Sequence, residues 1–158
     1  MKRFKLIPVG AASALFVAAS VPAFAVTVSP AGAISLEGAT TLVKSGVPLG
    51  CTANLVGTIT SAGAIEITSA KFTGPALCSA VTAAALPWTG QVTSTAALAL
   101  DGVAVNTPLG SCGPSALNAS ITENAPVRET AIGLIGQVLS GGCTVSGSLT
   151  TTPFLTVR

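Results

Sequence analysis

Ala53-Asn54-Leu55-Val56-Gly57-Thr58-Ile59-Thr60, then Ser61-Ala62-Gly63, then Ala64-Ile65-Glu66-Ile67, is the stretch that decides the fold. Successive side chains of a strand point to opposite faces. Ala53, Leu55, Gly57 and Ile59 therefore share one face, and Asn54, Val56, Thr58 and Thr60 the other. Ser61-Ala62-Gly63 supplies small residues for a tight turn. Ile65 and Ile67 resume an inner face while Glu66 points out. Ala70 and Phe72 fall on the opposite parity, and a bulge between Ile67 and Ala70 accounts for the flip.

The same pattern recurs along the chain. Leu98 and Leu100 precede Asp101-Gly102, and Val103 and Val105 follow, which is a strong short-range signal for a hairpin. Ile132, Leu134, Val138 and Leu139 form one apolar segment, and Val145, Gly147 and Leu149 another, with Gly141-Gly142 between them. Leu36, Leu42 and Val43 read as an earlier hairpin with Glu37-Gly38 near its turn. Only Ala76–Ala85 reads as helical, because alanine favours helix; Pro75 suits its start and Pro87 forbids its continuation. The expected fold is all-β: an antiparallel β-sandwich or a jelly-roll-like fold of about eight to ten short strands, with an incomplete barrel as the near alternative.

The N-terminus has the layout of a secretory signal. Lys2, Arg3 and Lys5 make a positive start, Leu6 to Val21 an apolar stretch, and Ala23-Phe24-Ala25 a small-x-small cleavage site. Residues 1–25 are thus expected to be a cleaved signal helix, cut between Ala25 and Val26, and residues 26–158 a single β domain. An uncleaved anchor would need about 20 apolar residues, and this stretch is shorter and holds Pro8. The whole chain has seven basic and five acidic residues. Without the signal, Lys44, Lys71, Arg128 and Arg158 face five acids, a net charge of −1. That leaves no basic patch for nucleic acid, which a phosphate-binding surface requires. A surface of Thr, Ser and Ala with few charges is weakly repelled from interfaces and from copies of itself.

Cys51, Cys78, Cys112 and Cys143 all follow the signal. An even count in an oxidising compartment reads as two disulfides, and four cysteines allow three connectivities. Cys51–Cys78 with Cys112–Cys143 is favoured, because each pair encloses a compact unit of strands. Metal is not expected, since close C-x-x-C pairs and histidine partners are both missing.

No histidine and no tyrosine occur. A Ser-His-Asp triad and a Cys-His pair are therefore excluded. The acids are scattered singly, so no local carboxylate pair suggests glycoside hydrolysis. A Ser–Lys dyad would have to use Lys44 or Lys71, which read as solvated lysines. No catalytic residue, cofactor or metal site is assigned. Leu86-Pro87-Trp88-Thr89-Gly90 fits a sortase pattern but lies mid-chain, before Cys112 and Cys143. Asn118-Ala119-Ser120 is a glycosylation sequon of the kind that a Ser/Thr-rich chain contains by chance. Trp88 is the sole tryptophan. It reads either as a core plug or as an exposed hydrophobic contact, since its ring is apolar while its N–H can stay hydrated.

Taken in order, several short pieces resemble a known family. They are Val26-Thr27-Val28-Ser29-Pro30-Ala31-Gly32, Gly38-Ala39-Thr40-Thr41-Leu42, Lys44-Ser45-Gly46-Val47, Cys51-Thr52-Ala53, Gly57-Thr58-Ile59-Thr60, Ile67-Thr68-Ser69-Ala70-Lys71-Phe72, and Leu77-Cys78 leading into Leu86-Pro87-Trp88. The order and spacing of Cys, Cys and Pro-Trp are similar to those of the exported bacterial activators of alkane oxidation, the PraB-like proteins. The similarity covers most of residues 26–90 and beyond them rests on Cys112 and Cys143. The resemblance implies a factor that promotes growth on long-chain alkanes and is not itself the hydroxylase. It carries over no catalytic residue.

The expected function is a secreted or cell-surface, non-enzymatic factor acting at hydrophobic interfaces such as alkane droplets, in the manner of a bioemulsifier. Periplasmic retention is the other destination. The alternative is a self-associating structural subunit of an extracellular fibre or biofilm matrix, in contact with cell-surface components. A third reading, a binding module for an apolar ligand, requires an enclosed apolar cavity.

Overall fold

The computed structural model describes residues 25–75 and 77–158. The expected signal helix and most of the segment before Val26 lie outside the described residues. The strands are β1 (Val28–Ser29), β2 (Gly32–Lys44), β3 (Val47–Ile59), β4 (Ala64–Thr73), β5 (Thr82–Ala84), β6 (Trp88–Ser94), β7 (Ala97–Thr107), β8 (Gly110–Asn124), β9 (Glu129–Leu139), β10 (Cys143–Thr152) and β11 (Thr156–Val157). The order β7-β6-β4-β3-β2-β10-β9-β8 is closed by pairing of β7 with β8. The result is an eight-stranded antiparallel barrel. β5 extends the place of β6 in the wall, pairing with the far half of β7 through Thr82–Asn106 and Ala84–Ala104. Around the wall, each strand lies beside its neighbour in sequence until β10 returns to β2.

This corrects the expected sandwich or jelly roll. Alternation of inward and outward residues is the same in a sandwich layer and a barrel wall. What separates them is the pairing of β2 with β10, from Ser35–Thr152 to Lys44–Cys143. That contact joins opposite ends of the sequence. The strands are also longer than expected, because segments that looked like hairpins run straight on. Glu37-Gly38 is not a turn but sits within β2, whose turn is Ser45-Gly46. Gly38 is small because β10 crosses there: a Cβ would lie inside the carbonyl oxygen of Ser148. Asp101-Gly102 is not a hairpin turn either. It is an irregularity within β7, where the register to β8 shifts between Leu100 and Val103, and Gly102 takes a φ of 73°. The turn itself lies at Pro108-Leu109, held by the Thr107 hydroxyl, which donates to the Gly110 carbonyl at 2.8 Å. The described residues of the alanine-rich stretch, 77–85, do not form an α-helix. They hold a single 3-10 turn at Cys78–Ala80 and then β5.

Other local expectations match the structure. Ala53, Leu55, Gly57 and Ile59 all face the core. Ser61 and Ala62 turn the chain. Val56 pairs with Ser69 but Gly57 with Ile67, so Thr68 is the extra, bulged residue.

The barrel has two unlike ends. At the first, here called the latch end, β1 and β11 pair with each other through Val28–Val157 and Ser29–Thr156. The Val28 amide donates to the Ser61 carbonyl at 2.9 Å. Val28, Leu155 and Val157 are buried, so this ribbon stops the end of the barrel. Thr130 is fully buried beneath it. Its hydroxyl donates to the Leu155 carbonyl at 2.7 Å and accepts from the Leu155 amide at 2.9 Å. Glu123 accepts from the Val157 amide at 2.6 Å and pairs with Arg158 at 3.1 Å. The opposite end, the disulfide end, carries the turns at Ser45-Gly46, Pro108-Leu109 and 140–142, and the long connection 74–81.

Candidate functional site: an apolar interior open at the disulfide end

The inward faces of the strands enclose a cavity of about 80 Å³. Its lining side chains are hydrocarbon, apart from the Cys51 sulfur, the indole N–H of Trp88, which donates to the Ala84 carbonyl, and the Thr40 hydroxyl. That hydroxyl is already used, donating to the Cys51 carbonyl at 3.0 Å. Among the described residues no buried side-chain polar atom lacks a partner. The interior therefore offers no free hydrogen-bonding group to a guest.

The cavity is shut at one end and less tightly packed at the other. Along β2 the inward positions run from Ile34 and Leu36, both buried, to Thr40 and Leu42, both half-buried. Val145, opposite Leu42 on β10, is half-buried as well. Phe72 near the end of β4 is the third such wall residue. These three apolar side chains mark the mouth, and it faces the disulfide end.

Two seams interrupt the hydrogen-bonded wall in this same half. β4 pairs with β6 only from Ala64 to Ile67, and its remaining half has no ladder to β5. Trp88 spans the break from inside: its indole N–H donates to the Ala84 carbonyl at 2.8 Å. Pro87 beside it has no N–H to give. The second seam lies between β8 and β9, which pair only from Ser120 to Asn124. Pro114 again lacks a donor. Side chains stand in for the ladder there: Gln137 accepts from the Asn118 amide, and Ser115 from the Ser140 amide, each at 2.8 Å. The ladder resumes where the Gly113 amide donates to Ser140 at 2.9 Å.

Each seam carries a disulfide. Cys51 is joined to Cys78, which pins the 74–81 connection to β3. Cys112 is joined to Cys143, which ties β8 across to the start of β10. Two disulfides fit an oxidising, extracytoplasmic compartment. In the chain-entropy picture, loops of these spans each stabilise by about 3–4 kcal/mol. Lys44 adds a third tie at this end, its ammonium donating to the carbonyls of Ser111 and Gly141.

Trp88 is 3% exposed and lines the cavity. It is no surface contact, which corrects that reading and leaves the core plug. Pro87 flanks the ring where the wall breaks, so the Leu-Pro-x-Thr-Gly match is a strand junction. The exposed apolar residues are elsewhere; of them the sequence reading named only Val138, which it grouped with Ile132, Leu134 and Leu139 but which the Ile135-Gly136 bulge leaves facing outward. Val47 at the start of β3, Leu77 in the 74–81 connection and Leu109 in the β7–β8 turn stand exposed at the disulfide end, and Val127 stands exposed alone at the latch end. Ile135, 84% exposed, and Val138 lie on the outside of β9 beside the second seam. Their signal in the sequence was weak: Val47, Leu77 and Leu109 each sit beside Pro, Gly or Cys, and Ile135 sits at the bulge opposite Ser146.

The charges are divided as well. Lys44 and Lys71 lie in the half nearer the disulfide end, and the turns there contain no carboxylate. Glu66, Glu123 and Glu129 lie toward the latch end with Arg128 and Arg158. Arg128 stacks over the Phe154 ring at 5.5 Å. Among the described residues no group of His, Cys, Asp and Glu is placed to hold a metal, and no helix is long and apolar enough to cross a membrane. The outer faces of the strands are largely Thr, Ser and Asn. A membrane barrel has the reverse arrangement, with an apolar outside.

Fold and interior together define a small, disulfide-tied, up-and-down β-barrel with a hydrocarbon-like core and a hydroxyl-rich coat. The chain belongs to the family of PraA/PraB-like alkane oxidation protein activators, whose family model matches residues 1–158. No curated protein matches it. No solved structure matches it either. The family is named for activating alkane oxidation, not for carrying it out.

Proposed function

We propose that the mature protein is an exported, non-enzymatic factor that assists alkane utilisation by settling, disulfide end first, on hydrophobic interfaces such as alkane droplets or the cell surface. One observation carries this reading. Val47, Leu77 and Leu109, from three separate parts of the chain, are exposed at a single end whose turns hold no carboxylate. Exposed apolar groups on one face favour transfer to an apolar phase, and the sparse charge of the coat opposes it little. Export is supported by the signal-like N-terminus and the two disulfides. Cleavage after Ala25 suits the packing, since Val26 packs against the core while Ala25 is exposed. The lack of histidine, and of a convergent polar cluster among the described residues, supports a role without catalysis.

The fibre or matrix reading draws less support. Strand addition needs a free sheet edge, and closure of the wall removes most of them.

The test is the tension of a hexadecane–water interface with purified mature protein. The wild type should lower it well below an inert secreted protein of equal size. A Val47→Ser, Leu77→Ser, Leu109→Ser triple variant should lose most of that effect while keeping its far-UV circular dichroism. A wild type no more active than the inert control overturns the reading. N-terminal sequencing of protein recovered outside the inner membrane should begin at Val26.

A further inference from the structure

We infer that the barrel interior is a binding site for the end of one unbranched alkyl chain, admitted through the mouth formed by Leu42, Phe72 and Val145. This goes beyond the interfacial reading and does not depend on it. Three observations converge on the occupant. The first is the wall chemistry. With the Thr40 hydroxyl bound to the Cys51 carbonyl, a polar guest would lose its water and gain nothing in return. Only hydrocarbon enters without that loss.

The second is size. A cavity of about 80 Å³ is several times the roughly 10–15 Å³ of such space that one water needs, so it takes a handful of chain atoms. An apolar space of this kind stays dry and accepts apolar guests. It holds a chain terminus, not a whole long alkane, and the rest of the chain must leave by the mouth.

The third is direction. The latch end is stopped by Val28, Leu155 and Val157, whereas at the disulfide end Leu42, Phe72 and Val145 are only half-buried beside the buried Leu49, Val105 and Leu139. A chain seated with its methyl end inward therefore emerges beside Lys44, the charged residue of that rim. Its outer end can be more hydrocarbon, or the carboxylate of a fatty acid facing the Lys44 ammonium. The alkyl chain is common to both sources.

Trp88 makes this measurable, because it is the sole tryptophan of a tyrosine-free chain and lines the cavity. The oxidised mature protein is titrated with a homologous series of 1-bromo-n-alkanes below their solubility limits, and Trp88 emission is followed. Saturable quenching is expected, while iodide quenches poorly. Affinity should rise about four-fold per added methylene, the ratio that corresponds to burying one CH₂. The rise should flatten once the cavity is full.

Ala53→Leu fills the space and should weaken quenching at least about ten-fold, judged by the same per-methylene ratio. Val145→Phe narrows the half-buried mouth without repacking the core, and gives an independent check if Ala53→Leu fails to fold. Competition by n-alkanoates that Lys44→Met weakens assigns the natural guest to fatty acids. Competition indifferent to Lys44→Met assigns it to alkanes. Quenching that never saturates, or that both variants leave unchanged, overturns the site. So does affinity that climbs steadily with chain length, as surface adsorption would give. The Val47, Leu77 and Leu109 triple variant should leave quenching intact, so failure of this site and failure of the interfacial reading are separately visible.

Discussion

The two halves of the barrel meet the same requirement, an apolar interior kept from water, by different means. The latch half relies on ladders interrupted only by single-residue bulges, on close strand crossings and on a buried threonine beneath a two-stranded stopper. The disulfide half gives up part of its ladder at two seams and replaces it with covalent bonds, side-chain hydrogen bonds and the Lys44 tie. A continuous wall seals. A stitched wall can be held together and still leave a mouth, and local opening is expected where backbone hydrogen bonds are fewest.

The comparison is most strongly broken at Gly57. A Cβ there would lie inside the Glu66 carbonyl oxygen, on neighbouring backbone that cannot yield. Gly57→Val should cost more than about 4 kcal/mol and leave no cooperative thermal transition. Gly46, in a turn of the disulfide end, has open space around it. Gly46→Ala should cost only about 1 kcal/mol, from its φ of 78°.

Next in size are the disulfides. Replacing Cys112 and Cys143 together by Ala should cost about 3–4 kcal/mol, read from urea midpoints. Hydrogen exchange should speed up in residues 134–139 and 110–119 while the amides of Leu155 and Val157 keep their relative protection. Equal loosening of both ends would show that the halves are not separate units.

Thr130→Val keeps shape but strands the Leu155 amide and carbonyl. It should cost about 1–3 kcal/mol, with faster exchange confined to the latch. The smallest effect belongs to Arg158→Ala. Its partner Glu123 also accepts from the Val157 amide, and the guanidinium is largely exposed. The loss should be below about 1 kcal/mol and shrink further in salt.

Much of the wall was legible residue by residue. Ala53–Ile59 shows its inner face, Ser61–Gly63 its turn, and the flip of parity between Ile67 and Ala70 its bulge, because each is a local consequence of the period-two pleat. What was not legible depends on distant partners. Gly38 looks like a turn residue until β10 is laid across it. Asp101-Gly102 has a hairpin's chemistry, yet the chain uses it to bend β7 while β8 continues alongside. Closure itself has no local signal, since β2 meets β10 only after the whole meander is built. Trp88 could be interior or exterior from sequence alone, and the seam beside Pro87 decides for the interior. The exposed Val47, Leu77 and Leu109 were hidden for the opposite reason. Single apolar residues at turns are common, and only the barrel gathers these onto one end.

The return of β10 to β2 also sets an order of events. Every other neighbouring pair in the wall is close in sequence and can form as the chain is delivered, N-terminus first, from a ribosome or a translocation channel. β2 must wait with one edge bare until residues 143–152 arrive, and β1 waits longer still for Thr156–Val157. A chain of this design stays an open sheet until its last strands arrive. It then closes into a barrel in one late step, with the mouth at the disulfide end left as its opening.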